Sequence, residues 1–84
     1  MKTIVENSTN LSKYLLDDSK PVSMGSDRIA VGDPSNLDFY IGDLNSGNAT
    51  LHENVTNAPD DWTGNKYTFD GTTWTQDANW VEPE

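Results

Sequence analysis

The sequence predicts an all-β protein: a single small antiparallel β-sandwich or barrel-like domain over residues 1–84, with a β-hairpin near its C-terminus. Short segments rich in β-branched and aromatic residues alternate with clusters of Asn, Asp, Gly and Pro. A spacing of roughly 8–12 residues between such turn clusters is typical of all-β domains. No segment keeps the apolar period of about 3.6 residues that an amphipathic helix would show.

The clearest predicted strand is 37–41, because its apolar and polar residues alternate. Leu37, Phe39 and Ile41 are expected on one face, since side chains two apart in a strand point the same way. Asp38 and Tyr40 are expected on the other face.

Two further strands are predicted at 28–31 and 49–55. The first is expected to end at the Gly32-Asp33-Pro34 segment, because proline cannot donate to a β-ladder. In the second, Leu51 and Val55 are expected to share a face.

The strongest local signal is Asp70-Gly71, which lies between two β-prone runs. This dipeptide favours a two-residue type I′ hairpin turn. That turn predicts that Phe69 pairs with Thr72 and Tyr67 with Trp74. Tyr67, Phe69 and Trp74 would then share one face of the hairpin.

The segment 10–16 fits two interpretations. Leu11, Tyr14 and Leu15 could form one face of a helix, with Thr9 as its N-cap. The segment also alternates as a strand does. We predict a strand paired with residues 2–6, because the neighbouring elements are β.

Composition limits the classes of partner. The 84-residue chain has a formal net charge of −9, so it repels nucleic-acid phosphate and anionic lipid. We therefore expect no nucleic-acid and no membrane partner. There is no cysteine to form a disulfide. The N-terminus lacks the apolar region and cleavage site of a secretion signal.

We expect no enzyme activity, no cofactor and no metal site. With no cysteine and one histidine, His52, any nucleophile–base pair would need that residue. His52 is expected to be an exposed strand residue. The carboxylate pairs Asp17-Asp18 and Asp60-Asp61 fall in predicted turns, where aspartate binds its own backbone. The 43–48 segment resembles a calcium loop only loosely, since Asn48 stands where such loops need glycine.

Aromatic residues are the candidate contact residues. The three tryptophans lie in the last third of the chain, and one sheet face of so small a domain can cover only some of them. We predict that Trp62, Trp80 and Tyr40 contribute to an interface, and that the chain forms a homo-oligomer. The alternatives are a core beneath a long loop and a platform that stacks on carbohydrate.

Three stretches of the sequence, which together cover most of the chain, resemble short uncharacterised proteins of marine tailed phages of the cyanophage type. They are 65–75 with 79–81, 39–45 with 48–50, and 1–5 with 12–14. The resemblance carries no catalytic residues. It implies a phage gene product, a structural or decoration component of the virion.

We therefore expect a small acidic phage protein that acts by binding and assembly, with itself and other virion proteins as partners. Its expected location is the virion or the cytoplasm of the infected host. The alternative is an acidic effector that binds and inhibits a host protein. An enzyme or metal-dependent module is the third and weakest hypothesis.

Overall fold

The computed structural model describes residues 1–81, so the last three residues of the predicted 1–84 domain lie outside it. The described chain is all-β. Its eight strands are β1 (Lys2–Glu6), β2 (Ser12–Leu16), β3 (Val22–Met24), β4 (Ile29–Asp33), β5 (Asn36–Ile41), β6 (Ala49–His52), β7 (Tyr67–Phe69) and β8 (Trp74–Gln76). Within residues 1–81 no helix is long and apolar enough to cross a membrane.

The strands form three antiparallel sheets, which confirms the predicted all-β antiparallel fold and its C-terminal hairpin. One three-stranded sheet has the order β2-β1-β6, and the other has the order β3-β4-β5. The third is the two-stranded hairpin β7-β8. Every pairing between neighbouring strands is antiparallel.

The main core lies between the two three-stranded sheets. Its buried members come from both sheets and from the loop before β6: Ile4, Ile29, Val31, Ile41, Leu44 and Ala49. Tyr14, Leu16, Val22, Met24 and Leu51 are half-buried around them. The two sheets therefore pack together as a sandwich, since each covers the apolar face of the other.

Strand β1 is buried on both of its faces. Ile4 points into the main core, while Val5 joins a second cluster with Val55 and Phe69. Ala58 and Trp74 pack against this second cluster. The hairpin and the loop before it thus form a third layer, with β1 in the middle of the molecule.

The segment 10–16 contains strand β2, which pairs with β1 as predicted but begins at Ser12. Tyr14 lies opposite Ile4, and Ser12 lies opposite Val5 after a bulge. The intervening turn is tight: Asn10 has a φ of 60°, and its N–H donates to the Glu6 carbonyl at 2.8 Å. Asparagine tolerates this left-handed conformation better than most residues, which favours the turn over a helix start.

The predicted alternation in 37–41 is wrong for its first half. Phe39 pairs with Val31, but Leu37 pairs with Gly32, so Asp38 is an extra residue that bulges from β5. Leu37 is half-buried outside the core cluster, and only Ile41 of the predicted apolar set is fully buried.

The bulge depends on the conformation of Gly32. This residue belongs to β4, although the strand was predicted to end there. Strand β4 runs through Gly32 and Asp33 and ends before Pro34 rather than at Gly32. Gly32 has a φ of 115°, a conformation that residues with a Cβ rarely adopt. Its N–H donates to the Pro21 carbonyl at 2.9 Å, which holds the approach to β3 against β4.

Strand β6 is shorter than the predicted strand 49–55 and ends at His52. The chain then bends, with Asn54 at a φ of 59°. Leu51 consequently packs on the main core, while Val55 belongs to the second cluster. The prediction that these two residues share one strand face is wrong because the strand does not reach Val55.

The C-terminal hairpin forms with a different register from the predicted one. Phe69 pairs with Trp74, and Tyr67 pairs with Gln76. The shift is two residues, so the predicted aromatic face survives: the Phe69 and Trp74 rings stack at 4.4 Å, and Tyr67 meets Trp74 edge-on at 6.4 Å. The Asp70 carboxylate accepts the N–H groups of Thr72 and Thr73, which stabilises a longer turn than the type I′ turn.

Asp17, Asp33 and Asp70 each accept an N–H group from a residue two positions later. The pKa of Asp70 is lowered by its bonds from the Thr73 and Thr72 amides. The pKa of Asp17 is lowered by bonds from the Ser19 amide and hydroxyl, and the pKa of Asp33 by bonds from the Ser35 hydroxyl and amide. Turn aspartates therefore favour the ionised form in the folded protein.

We expect acid to destabilise the protein through these turns. Because folding lowers the three pKa values below the ordinary 3.8, the unfolded chain binds more protons near that pH. The stabilisation is complete above pH 3.8 and is lost as the pH falls through the lower folded values. The urea midpoint, measured from pH 7 to pH 2, should decrease once the pH is below about 4. This decrease should be smaller in Asp70→Asn than in the control Asp60→Asn. Equal falls in the two variants would contradict this assignment.

Candidate binding surface

An open groove of about 460 Å³ lies between the loop after β6 and the hairpin turn. His52, Asn57, Phe69 and Thr72 are among its lining residues. His52 was predicted to be exposed but is half-buried, because its ring packs edge-on against Phe69 at 5.1 Å. The imidazole thus contributes to the packing of the third layer.

The Asp60-Asp61 pair lies in a turn, and Asp61 fixes the loop before the hairpin. Its carboxylate accepts the Tyr67 hydroxyl at 2.7 Å and the buried Lys66 ammonium at 3.0 Å. These hydrogen bonds, first from Tyr67 and then from Lys66, lower the pKa of Asp61. The arrangement anchors the loop.

The 43–48 segment is closed by its own hydrogen bonds. The Asn48 side chain donates to the Asp43 carbonyl at 3.2 Å and accepts the Asn45 N–H at 2.7 Å. In the described part of the chain, no group of three or more His, Cys, Asp or Glu side chains is placed to hold a metal ion.

Trp62, one of the three predicted interface residues, is half-buried and tied to the fold. Its Nε1 donates to the Ser12 hydroxyl at 2.9 Å, and that hydroxyl lies 2.6 Å from the hydroxyl of Thr3. Ser12 and Thr3 are both fully buried. Trp62 therefore completes a polar contact beneath the third layer.

Trp80, the second predicted interface residue, is also half-buried. The Lys66 ammonium lies 5.9 Å from the centre of its ring. Its Nε1 is buried and has no hydrogen-bond partner among residues 1–81. By contrast, the Trp74 Nε1 donates to Asn57 at 3.2 Å.

Tyr40, the third predicted interface residue, is the most exposed of the three. It is 49% exposed, and its neighbour Phe39 is 40% exposed. Phe39 pairs with the core residue Val31, whereas Tyr40 pairs with Ala30, so the two aromatic side chains lie on opposite faces of β5. Phe39 also approaches Tyr14, with ring centres 6.1 Å apart.

Strand β5 is an edge strand, and at six residues it is the longest strand. The edge strand β3 has three residues. The outer edge of β2 is covered, because Asn65 and Phe69 donate N–H groups to the carbonyls of Ser12 and Asn10. Proteins usually shorten or cover such edges, since their free N–H and C=O groups attract other strands.

Arg28 lies over Tyr40 of this edge strand. Its guanidinium carbon is 3.9 Å from the centre of the Tyr40 ring, an arrangement that holds the cation over the aromatic face. Two lysines form ion pairs with carboxylates: Lys20 pairs with Asp38, and Lys66 pairs with Asp61. Across residues 1–81, the Arg28 guanidinium pairs with no carboxylate.

We define the β5 surface as Arg28, Asp38, Phe39 and Tyr40. The predicted interface set contained Tyr40 but neither Arg28 nor Phe39. An adjacent aromatic pair in a strand was the available signal, because neighbouring side chains point to opposite faces and a single core covers only one of them. The position of Arg28 over Tyr40 had no signal in the sequence.

Comparisons of the chain with protein-family models, with curated proteins and with solved structures gave no match.

Proposed function

We propose that this chain is a binding and assembly domain whose contact surface is the β5 surface. The observation that carries the proposal is the pair of exposed aromatic side chains, Phe39 and Tyr40, on a long edge strand. Exposed aromatic residues are enriched at protein interfaces, where they supply large contact areas at low entropic cost.

The cost of leaving this surface bare supports the proposal. Burying a large apolar side chain contributes roughly 1.5–3 kcal/mol. A small domain has a stability of only ~3–5 kcal/mol, so a contact that buries Phe39 and Tyr40 is large on that scale. Assembly would thus stabilise the domain and also fix its position in the larger assembly.

The setting that we propose is the particle of a tailed phage, with this chain as a structural or decoration component. The sequence resemblance suggests this setting, and the partners are then further copies and other virion proteins. The net charge of −9 favours one second candidate, an effector that binds a basic host protein.

Mass spectrometry of purified particles tests the setting. We expect many copies of the wild-type chain per particle. The Tyr40→Ser variant should be incorporated several-fold less, because the loss of the ring weakens the contact at β5. Val81→Ser is the matched control, since Val81 is 82% exposed and lies outside the β5 surface.

Two outcomes would count against the proposal. Absence of the chain from particles would favour the effector. Equal incorporation of Tyr40→Ser and Val81→Ser would remove β5 as the contact surface. The predicted interface roles of Trp62 and Trp80 stay predictions, and Trp80→Ala in the same series would measure one of them.

A further inference from the structure

We propose that the groove between the loop after β6 and the hairpin turn binds a neutral, polyhydroxylated ligand, namely one sugar residue of a glycan. Its volume of about 460 Å³ falls within the roughly 300–1,000 Å³ of small-molecule sites. The groove belongs to the third layer, which covers the face of β1 opposite the main core. It shares no residue with the β5 surface, so this inference goes beyond the proposed function and does not depend on it.

The two walls of the groove are held in place by hydrogen bonds. The Asn57 side chain joins the loop to the hairpin, because its amide donates to the Thr72 carbonyl at 2.9 Å and its oxygen accepts the Trp74 Nε1–H at 3.2 Å. The loop is also tied to the start of β1, since the Val55 N–H donates to the Met1 carbonyl at 2.8 Å. A ligand would therefore enter a formed site and lose little affinity to the ordering of the loop.

The His52 imidazole is a half-buried polar group that faces this groove without a hydrogen-bond partner. Its ring packs edge-on against Phe69 at 5.1 Å, and neither ring nitrogen forms a hydrogen bond within residues 1–81. Neither nitrogen is sealed from solvent. A Cβ at Gly71 would lie 3.6 Å from Cε1 and 3.9 Å from Nδ1 of His52, so the glycine leaves space beside this edge of the ring. The imidazole is thus available to a ligand.

Three further polar side chains line the groove and are equally available. Glu53, Asn54 and Thr56 are exposed, and their side chains form no hydrogen bond with any residue that the structure describes. With His52 they offer a carboxylate, a carboxamide, a hydroxyl and an imidazole, which is a mixed set of donors and acceptors. Sugar hydroxyls both donate and accept, so they match such a set.

The apolar residues of the groove argue against an apolar ligand. Phe69 is 2% exposed and Val55 is 6% exposed, because both belong to the second cluster. The affinity of an apolar ligand depends on the apolar area that it removes from water, and these side chains have little left to cover. The groove therefore favours a ligand that is recognised by hydrogen bonds.

Charge excludes an anionic ligand. No lysine or arginine among residues 1–81 lines the groove, whereas Glu53 does, and the chain carries a net charge of −9. A phosphate or carboxylate would be repelled.

A cationic ligand is disfavoured for a different reason. Ammonium groups bind well over open aromatic faces, but Phe69 is buried and stacks on Trp74 at 4.4 Å. An exposed carboxylate such as that of Glu53 contributes little by itself to binding a cation. Because the groove is open, the rest of a glycan can extend beyond the bound sugar residue.

NMR titration of the full ¹⁵N-labelled chain tests the proposal. The probes are the methyl glycosides of glucose, galactose, mannose and N-acetylglucosamine, which represent linked sugar residues. We expect at least one of them to shift the amides of residues 52–57 and 71–72 saturably, with a dissociation constant in the low millimolar range that suits so small a ligand. The 6-phosphate of that glycoside should bind at least about threefold more weakly. Its 2-amino counterpart should bind within about fivefold of the neutral sugar.

Substitutions in the groove identify the contacts. Thr56→Val and Asn54→Gly each remove one polar group, and glycine readily adopts the φ of 59° at position 54. Each should weaken binding by about threefold to tenfold, as expected for one hydrogen bond. His52→Phe keeps a ring against Phe69, removes both nitrogens and should weaken binding to a similar extent. Thr75→Val is the matched control, since Thr75 is exposed on β8 outside the groove, and it should leave the affinity unchanged.

The amide spectra of the variants also show whether each one is folded. The inference is overturned if none of the four glycosides gives a saturable shift, or if the shifted amides lie away from the groove. It is also overturned if Thr56→Val and Asn54→Gly, both folded, bind as tightly as the wild type. A 6-phosphate that binds as well as the neutral sugar, or an amino sugar that binds more than about fivefold tighter, would assign the groove to a charged ligand instead.

Discussion

Replacing Gly32 with alanine is expected to unfold most of the protein. A Cβ at this position would lie 2.5 Å from the backbone nitrogen of Asp38, a contact that side-chain movement cannot relieve. The φ of 115° adds backbone strain of roughly 1–3 kcal/mol. Overpacking typically costs another ~1–3 kcal/mol, so the sum approaches the whole stability of a domain of this size.

Urea denaturation followed by tryptophan fluorescence measures this effect. Gly42→Ala is the matched control, because a Cβ there meets no atom within 4 Å and its φ is not in the left-handed range. We expect a nearly unchanged midpoint for Gly42→Ala and no cooperative folding transition for Gly32→Ala. A Gly32→Ala midpoint close to that of the control would show that the bulge at Asp38 can relax.

Phe69→Ala is expected to have the next largest effect, a loss of about 3–5 kcal/mol in the free energy of unfolding. Phe69 is 2% exposed and joins β1 to the hairpin through Val5. It also stacks on Trp74 and meets the edge of His52. Its removal leaves a cavity between β1 and the third layer.

The control for this prediction is the same substitution at an exposed site. Phe39→Ala should cost under ~1 kcal/mol when measured at a concentration that keeps the chain monomeric. Unfolding by urea, read by circular dichroism, compares the two. A loss at Phe69 as small as the loss expected at Phe39 would mean that the third layer contributes little to the stability of the sandwich.

The sequence predicted the pairing of the first two strands and the aromatic face of the hairpin. Residues 2–6 pair with 12–16, within the predicted segment 10–16, and the C-terminal hairpin keeps its aromatic face. Register was less predictable, because backbone details outside the apolar pattern decide it. The extra residue at Asp38 depends on the conformation of Gly32, and the hairpin turn depends on the Asp70 carboxylate capping two amides.

The candidate binding surface was predicted only in part, since the exposure of a side chain depends on how distant segments of the chain pack together. Tyr40 was expected at an interface and is exposed. Trp62 lies in a polar loop in the sequence, yet the fold brings its indole to the buried Ser12 hydroxyl. No local pattern indicates that contact, because the two residues are fifty positions apart.

The central position of β1 has a consequence for synthesis on the ribosome. Its partner β6 includes His52, which pairs with Thr3, and its second face is covered by Val55 and by the hairpin at residues 67–76. At about 5–20 residues per second, the early strands would wait for several seconds with both faces of β1 uncovered. A nascent chain in that state is a substrate for chaperones, and slower translation would lengthen its exposure to aggregation.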